Sequence, residues 1–222
     1  KRLKYYKALL FGSIGSIVET SEIQRKSFNK AFKQYGLNWN WTKHDYSNLL
    51  KKSGGKDRIS RYAKKNKEVV NSTYLRNLKT KIFNNYLKKN QLKLRSGVKN
   101  LILFCNKKKI KLAFVSSTSS NNINAILYSL RNSINKRDFN FIGNAKLVKK
   151  FKPNPEIYLL ALKKLKLKAN DCLAIEDTQE SLNSARRAKI KCIIFPGKFH
   201  SSRKFLGAHK KVYRLNKNII LR

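Results

Sequence analysis

The stretch from Lys7 to Thr20 constrains the fold more than any other part of the chain. Ala8 to Phe11 is an apolar run of strand length, Gly12 to Ser16 is a Gly/Ser-rich turn, and Ile17-Val18-Glu19-Thr20 leads into helical periodicity. A short buried strand that empties into a glycine turn and then a helix opens an α/β unit. Such turns lie at the carboxyl edge of a parallel sheet, where these proteins place their chemistry.

Between Thr20 and Leu87 every apolar repeat is helical. Ile23, Phe28, Ala31, Phe32 and Tyr35 recur at helix spacing before Gly36; further helices are predicted over 43–52, 56–65 and 73–87. The α/β pattern resumes near Ser96-Gly97. It predicts helices over 98–106, 122–131 and 180–188, and one opened by Lys152-Pro-Asn-Pro155, where the prolines cost little. Strands are predicted over 111–116, 139–142, 172–176 and 191–195, with an edge strand over 212–215. The expected architecture is a doubly wound parallel α/β sheet (1–19 and 93–222) with an inserted helical cap (20–92).

The chain has 222 residues, 41% of them hydrophobic, which suits a packed core rather than a disordered basic tail. No apolar run approaches the ~20 residues of a membrane span, so no membrane partner is expected. Cys105, Cys172 and Cys192 are widely spaced and read as small buried hydrophobes in a reducing intracellular compartment, bacterial cytoplasm or organelle matrix. Lys1 to Lys7 reads as the remnant of a targeting segment or as an ordinary basic lead-in. His44, His200 and His209 are scattered, and Trp39 and Trp41 read as packing residues of the cap.

Four motifs, in order, give the chain a resemblance to the haloacid dehalogenase-like phosphatases, closest to the CbbY type with a Rossmann-like core. Ala113-Phe-Val-Ser116 is similar to motif II, Phe151-Lys152-Pro-Asn-Pro-Glu-Ile-Tyr158 to motif III, and Leu173-Ala-Ile-Glu176-Asp177-Thr178 to motif IV. Ser53-Gly54-Gly55-Lys56-Asp-Arg58 resembles the cap loop that reads the substrate. The resemblance implies phosphate binding at Ser116 and Lys152 and a metal site at Asp177, helped by Glu176. It also implies two motif I aspartates, one attacking phosphorus and one moving protons, with Mg²⁺ between the first of them and motif IV.

Both aspartate positions are vacant: the first is Gly12 and the second Ile14. Ser13 and Ser16 are the nearest hydroxyls, and Ser13 is expected to point away from the direction of residue 12 on an extended backbone. What survives of the site is its anion-binding half. It reads either as a phosphate pocket without turnover or, the preferred reading, as a Lys152–Asp177 ion pair holding two loops together. No cofactor is expected, and Mg²⁺ only if activity is retained.

Charge is the other anomaly: 52 Lys and Arg against 11 Asp and Glu, a net +41. Such self-repulsion favours a polyanionic partner, although AT-rich codon drift also enriches lysine. Basic clusters at Lys107, Lys108 and Lys109, at Lys149 and Lys150, at Lys163 and Lys164, and at Lys210 and Lys211 are the candidate nucleic-acid contacts. They sit on many elements, so no single groove is implied. The leading expectation is a non-catalytic CbbY-like protein that contacts structured RNA, such as a peripheral ribosome or ribonucleoprotein component. A divergent phosphatase or phosphosugar mutase and a phosphometabolite binder are the alternatives.

Overall fold

The computed structural model describes residues 4–52 and 54–222. Residues 1–3 of the basic lead-in and Ser53 of the cap loop lie outside them. The chain divides into two compact units, one running to Glu19 and resuming at Gln91–Arg222, the other Thr20–Asn90.

The first unit is built on a six-stranded sheet of β1 (Ala8–Phe11), β2 (Lys111–Val115), β3 (Phe141–Gly143), β4 (Cys172–Glu176), β5 (Lys191–Ile194) and β6 (Lys210–Lys211). Its order is β3-β2-β1-β4-β5-β6, with every pairing parallel. β1 and β4 are buried along their whole length, which is why they read as continuous apolar runs rather than alternating ones. The connecting helices are α5 (Val98–Lys107), α6 (Ser120–Ser129), α7 (Glu156–Leu165) and α8 (Gln179–Arg187). Ile157, Tyr158, Ala161 and Leu165 of α7 join Leu182 and Ala185 of α8 against Leu10, Ala113, Ala174 and Cys192 of the sheet. The strand order reverses between β1 and β4, so the crevice at their carboxyl ends is where this topology places a ligand.

The second unit contains α1 (Ser21–Tyr35), α2 (Lys43–Leu49), α3 (Gly55–Lys65) and α4 (Ser72–Lys89). Its core is aromatic. Trp41 is fully buried against Phe28, Phe32, Tyr46 and Tyr62, with centroids 4.7–6.1 Å away. Trp39 donates Nε1–H to Glu68 at 2.8 Å.

Several boundaries differ from the sequence expectation, among them α6, which spans Ser120–Ser129 rather than 122–131. The second helix stops at Leu49 rather than 52. The third strand is shifted to Phe141–Gly143. The edge strand is Lys210–Lys211, not 212–215: Ile193 and Ile194 register with these lysines, and position in the ladder overrides apolar propensity. Among the described residues no helix is long and apolar enough to cross a membrane. All three cysteines are free and buried.

Candidate functional site

Gly12 continues β1 by donating its N–H to Ile175 O at 2.9 Å. A Cβ at this position would stand inside the Glu176 carboxylate and the Tyr158 hydroxyl. The volume that a residue-12 side chain needs is therefore filled from β4. Glu176 is fully buried. Its Oε1 accepts from Tyr158 Oη at 2.5 Å and from Lys152 Nζ at 2.7 Å, and Lys152 also donates to Gly12 O. Burial pushes the Glu176 carboxyl above the ordinary carboxylate range, opposed by the Lys152 charge. Tyr158 is pushed well up by burial and by the adjacent carboxylate. The other Glu176 oxygen, Oε2, is buried without a hydrogen-bond partner among the described residues.

The expected Lys152–Asp177 ion pair is thus a Lys152–Glu176 pair. The correction has a geometric cause. Glu176 is the last residue of β4 and points under β1, where the missing side chain leaves room. Asp177, one residue on, turns to the other side and accepts from Ser13 Oγ at 2.8 Å. Ser13 is extended (φ −149°, ψ 161°) and points away from the residue-12 direction as alternation demands, which sets its hydroxyl on the motif IV loop. Gly15 is required by the same approach, since a Cβ there would meet the Asp177 carboxylate. Ile14 and Ser16 form a short 3₁₀ turn. Ser116, beyond β2 and buried, accepts from Thr118 N at 3.1 Å.

These residues do not fit a divalent cation of the kind the family uses. No three Asp, Glu, His or Cys side chains converge among the described residues. Of the two carboxylates at hand, Glu176 is neutralised by Lys152 and Asp177 is engaged by Ser13. Without a carboxylate on residue 12 the oxygen set is incomplete for Mg²⁺.

Sequence reasoning missed Arg95. Its guanidinium donates to Gly15 O at 2.6 Å, Phe195 O at 2.7 Å and Pro196 O at 2.6 Å, and lies 3.4 Å from the Phe195 ring centroid. It ties the motif I turn to the loop after β5. No motif announces it, because its partners are backbone carbonyls.

In the second unit, Gly54 (φ +88°) precedes the first turn of α3, which holds Gly55 and Lys56. A Cβ on Gly55 would meet the Phe28 ring at 3.4 Å and Arg76 at 3.6 Å. Arg58, one turn along, is buried, donates to Leu49 O and Lys52 O, and lies over Phe28 and Tyr46. Lys79 of α4 sets its amine 4.7 Å from the Phe28 centroid and donates to Gln24. Burial, then the charges of Arg58 and Arg76, push the Lys79 amine down to about 7. Among the described residues no carboxylate forms an ion pair with Arg58, Arg76 or Lys79. Lys79 and Arg76 are helix-face residues with no sequence signal of their own.

A parallel sheet of this strand order, with a glycine turn at the switch point, Lys152 ahead of α7 and Glu176-Asp177 at the end of β4, defines a Rossmann-like α/β protein of the haloacid dehalogenase type. The family model of the haloacid dehalogenase-like hydrolases matches residues 15–195, and the chain belongs to that family. Its relatives include Protein CbbY of Cereibacter sphaeroides, 31% identical over 207 residues that cover 92% of this chain and 90% of that one. The CBBY-like protein of Arabidopsis thaliana is 31% identical, covering 90% of this chain and 66% of that protein. CbbY from Rhodobacter sphaeroides, solved in complex with phosphate, superposes with a TM-score of 0.83 at 29% identity and 94% coverage of both chains. A second structure of that protein holds xylulose-(1,5)-bisphosphate, with the same TM-score of 0.83.

Proposed function

We propose that this chain is a CbbY-type protein that binds a small phosphorylated sugar and does not turn it over through an aspartyl phosphate. The observation that carries the binding is the Arg58, Arg76 and Lys79 cluster, three cations beside a helix N-terminus with no carboxylate paired to them among the described residues. A phosphate group supplies the charge this cluster lacks. The phosphate and xylulose-(1,5)-bisphosphate found with the Rhodobacter sphaeroides protein give the ligand class its support. Loss of the aspartyl-phosphate step rests on residues 12 and 14. Glycine has no nucleophile and isoleucine moves no proton, and Glu176, which fills the gap, is buried and tied to Lys152.

A second reading rests on the 2.8 Å bond from Ser13 Oγ to Asp177. In it Ser13 Oγ attacks phosphorus, its proton passes to Asp177, and Asp177 protonates the departing sugar oxygen. Water then hydrolyses the phosphoserine with Asp177 as base. Titration calorimetry and a phosphate-release assay with xylulose-(1,5)-bisphosphate test both readings. Binding without release is the expected result. Release that disappears in Ser13→Ala establishes the second reading, and absence of binding overturns both.

A further inference from the structure

Two of the lysine clusters that looked scattered along the sequence, Lys107 to Lys109 and Lys163 with Lys164, lie on one edge of the sheet. In a parallel sheet every helix-to-strand turn comes to the amino-terminal edge, and α5, α7 and α8 all end there, ahead of β2, β4 and β5. Each of the three helices closes in the same way. Lys109 N–H donates to Asn106 O and Ile110 N–H to Cys105 O; Lys166 and Leu167 repeat this with Lys163 O and Leu162 O; Lys189 and Ile190 repeat it with Arg186 O and Ala185 O. The pivot of each closure is a lysine in the left-handed region, φ 56° at Lys109, 56° at Lys166 and 62° at Lys189. That backbone favours glycine, or asparagine, in which this chain is rich. At all three closures, as at Lys67 after α3 of the second unit (φ 55°), it carries an exposed cation instead.

The edge is also concave and almost without free negative charge. A cavity of about 700 Å³ is lined by Lys7, Lys163, Lys166, Lys168 and Asp171, and one of about 280 Å³ by Arg186, Lys189, Lys191 and His209. Its two acids are already engaged: Asp171 by Lys7 and Arg222, and Asp138 by the Asn135 N–H. The opposite edge collects Glu19, Glu156, Glu176, Asp177 and Glu180, so the charge is polarised across the sheet. Lys149 and Lys150 lie on that opposite edge, in the loop from β3 to α7, while Lys210 and Lys211 form β6. These four expected contacts therefore fall outside the basic face.

We infer that this amino-terminal edge is a docking face for the phosphate backbone of folded RNA, separate from the motif I–IV crevice. Charge complementarity selects a polyanion. None of the exposed large apolar side chains lies in the turns before β2, β4 or β5, and the Tyr5–Phe104 ring pair ahead of β1 is part-buried with the Lys108 amine 5.9–6.0 Å from its centroids, so these turns present no open platform for single strands to stack on and no apolar wedge for a lipid surface. It is made of short turns, with no projecting helix or ribbon to enter a DNA major groove. Backbone contact across the surface of an A-form helix is what such a face can make.

The test uses the full chain and a fluorescent RNA duplex of about 16 base pairs, the span of a shape-reading RNA-binding domain. The triple variant Lys109→Gly/Lys166→Gly/Lys189→Gly removes three cations at positions where glycine takes the backbone without strain, so thermal unfolding is expected to stay at or above the wild-type temperature. Its log affinity against log salt is expected to be shallower by about 2 to 3, near one per phosphate contact. The triple variant Lys146→Gln/Lys150→Gln/Lys198→Gln removes equal charge from the opposite edge and should leave the slope within one of wild type. Equal weakening by both triples, an unchanged slope in the first, or tighter binding to a B-DNA duplex or phosphatidylserine vesicles than to RNA would each overturn the assignment.

Discussion

The Glu176 carboxylate occupies the space that a side chain on Gly12 would take, and Lys152 bonds to both residues. This packing turns a missing nucleophile into a closed local structure: one strand loses a side chain and its neighbour fills the gap.

Gly12→Asp is therefore expected to destabilise the fold by about 1–3 kcal/mol through overpacking, and not to restore phosphatase activity even alongside Ile14→Asp. Adding Glu176→Ala should recover much of the lost stability. Chemical denaturation of the two single variants and the double checks this, with a coupling above about 0.5 kcal/mol expected for residues in contact.

The Lys152–Glu176 pair is 9% and 0% exposed at its two side chains. Removing either partner alone, by Lys152→Met or Glu176→Gln, should cost more than removing both, because a single change leaves a buried charge or an unpaired dipole. The folded pKa of Glu176 lies above its unfolded value. Its contribution is then fully present at acid pH and is lost as pH rises through the folded pKa. Relative to Glu176→Gln, wild-type stability should fall as pH climbs from about 4.5 toward neutrality.

Lys79 gives the opposite slope. Its folded pKa, about 7, lies below the ordinary 10.5, so between these values the unfolded chain holds the extra proton and stability rises with pH. Lys79→Met should be more stable than wild type at pH 7 and should lose that advantage toward pH 10. Phosphosugar affinity should weaken as pH rises through about 7 in wild type, because the amine loses its charge. Calorimetry across that range checks the sign.

Arg95→Ala should free three carbonyls and lower stability by roughly 2–4 kcal/mol. Arg95→Lys should rescue little, since an ammonium cannot span Gly15, Phe195 and Pro196 in one plane. Thermal unfolding of the two variants checks this.

Much of the core was legible in advance. Apolar runs at 8–11 and 172–176 could only be buried strands, and Lys152, Glu176 and Asp177 were placed by their motifs. Lys152's partner was not legible: Glu176 and Asp177 are adjacent and chemically alike, and only the direction each takes at the end of β4 separates them. Arg95 and Lys79 were invisible for a different reason. Their partners are carbonyls and ring faces, which almost any sequence provides.

The residue string alone established the α/β architecture, the inserted helical unit and the absence of carboxylates at 12 and 14, because hydrophobic spacing and residue identity are local properties. Only the tertiary structure decided which anion neutralises Lys152 and that the lysines of 107–109 and 163–164 share an edge. Both depend on strand order: parallel pairing carries helix ends far apart in sequence to a single edge, and it sets β4 beside β1 so that one strand's side chain fills the other's gap.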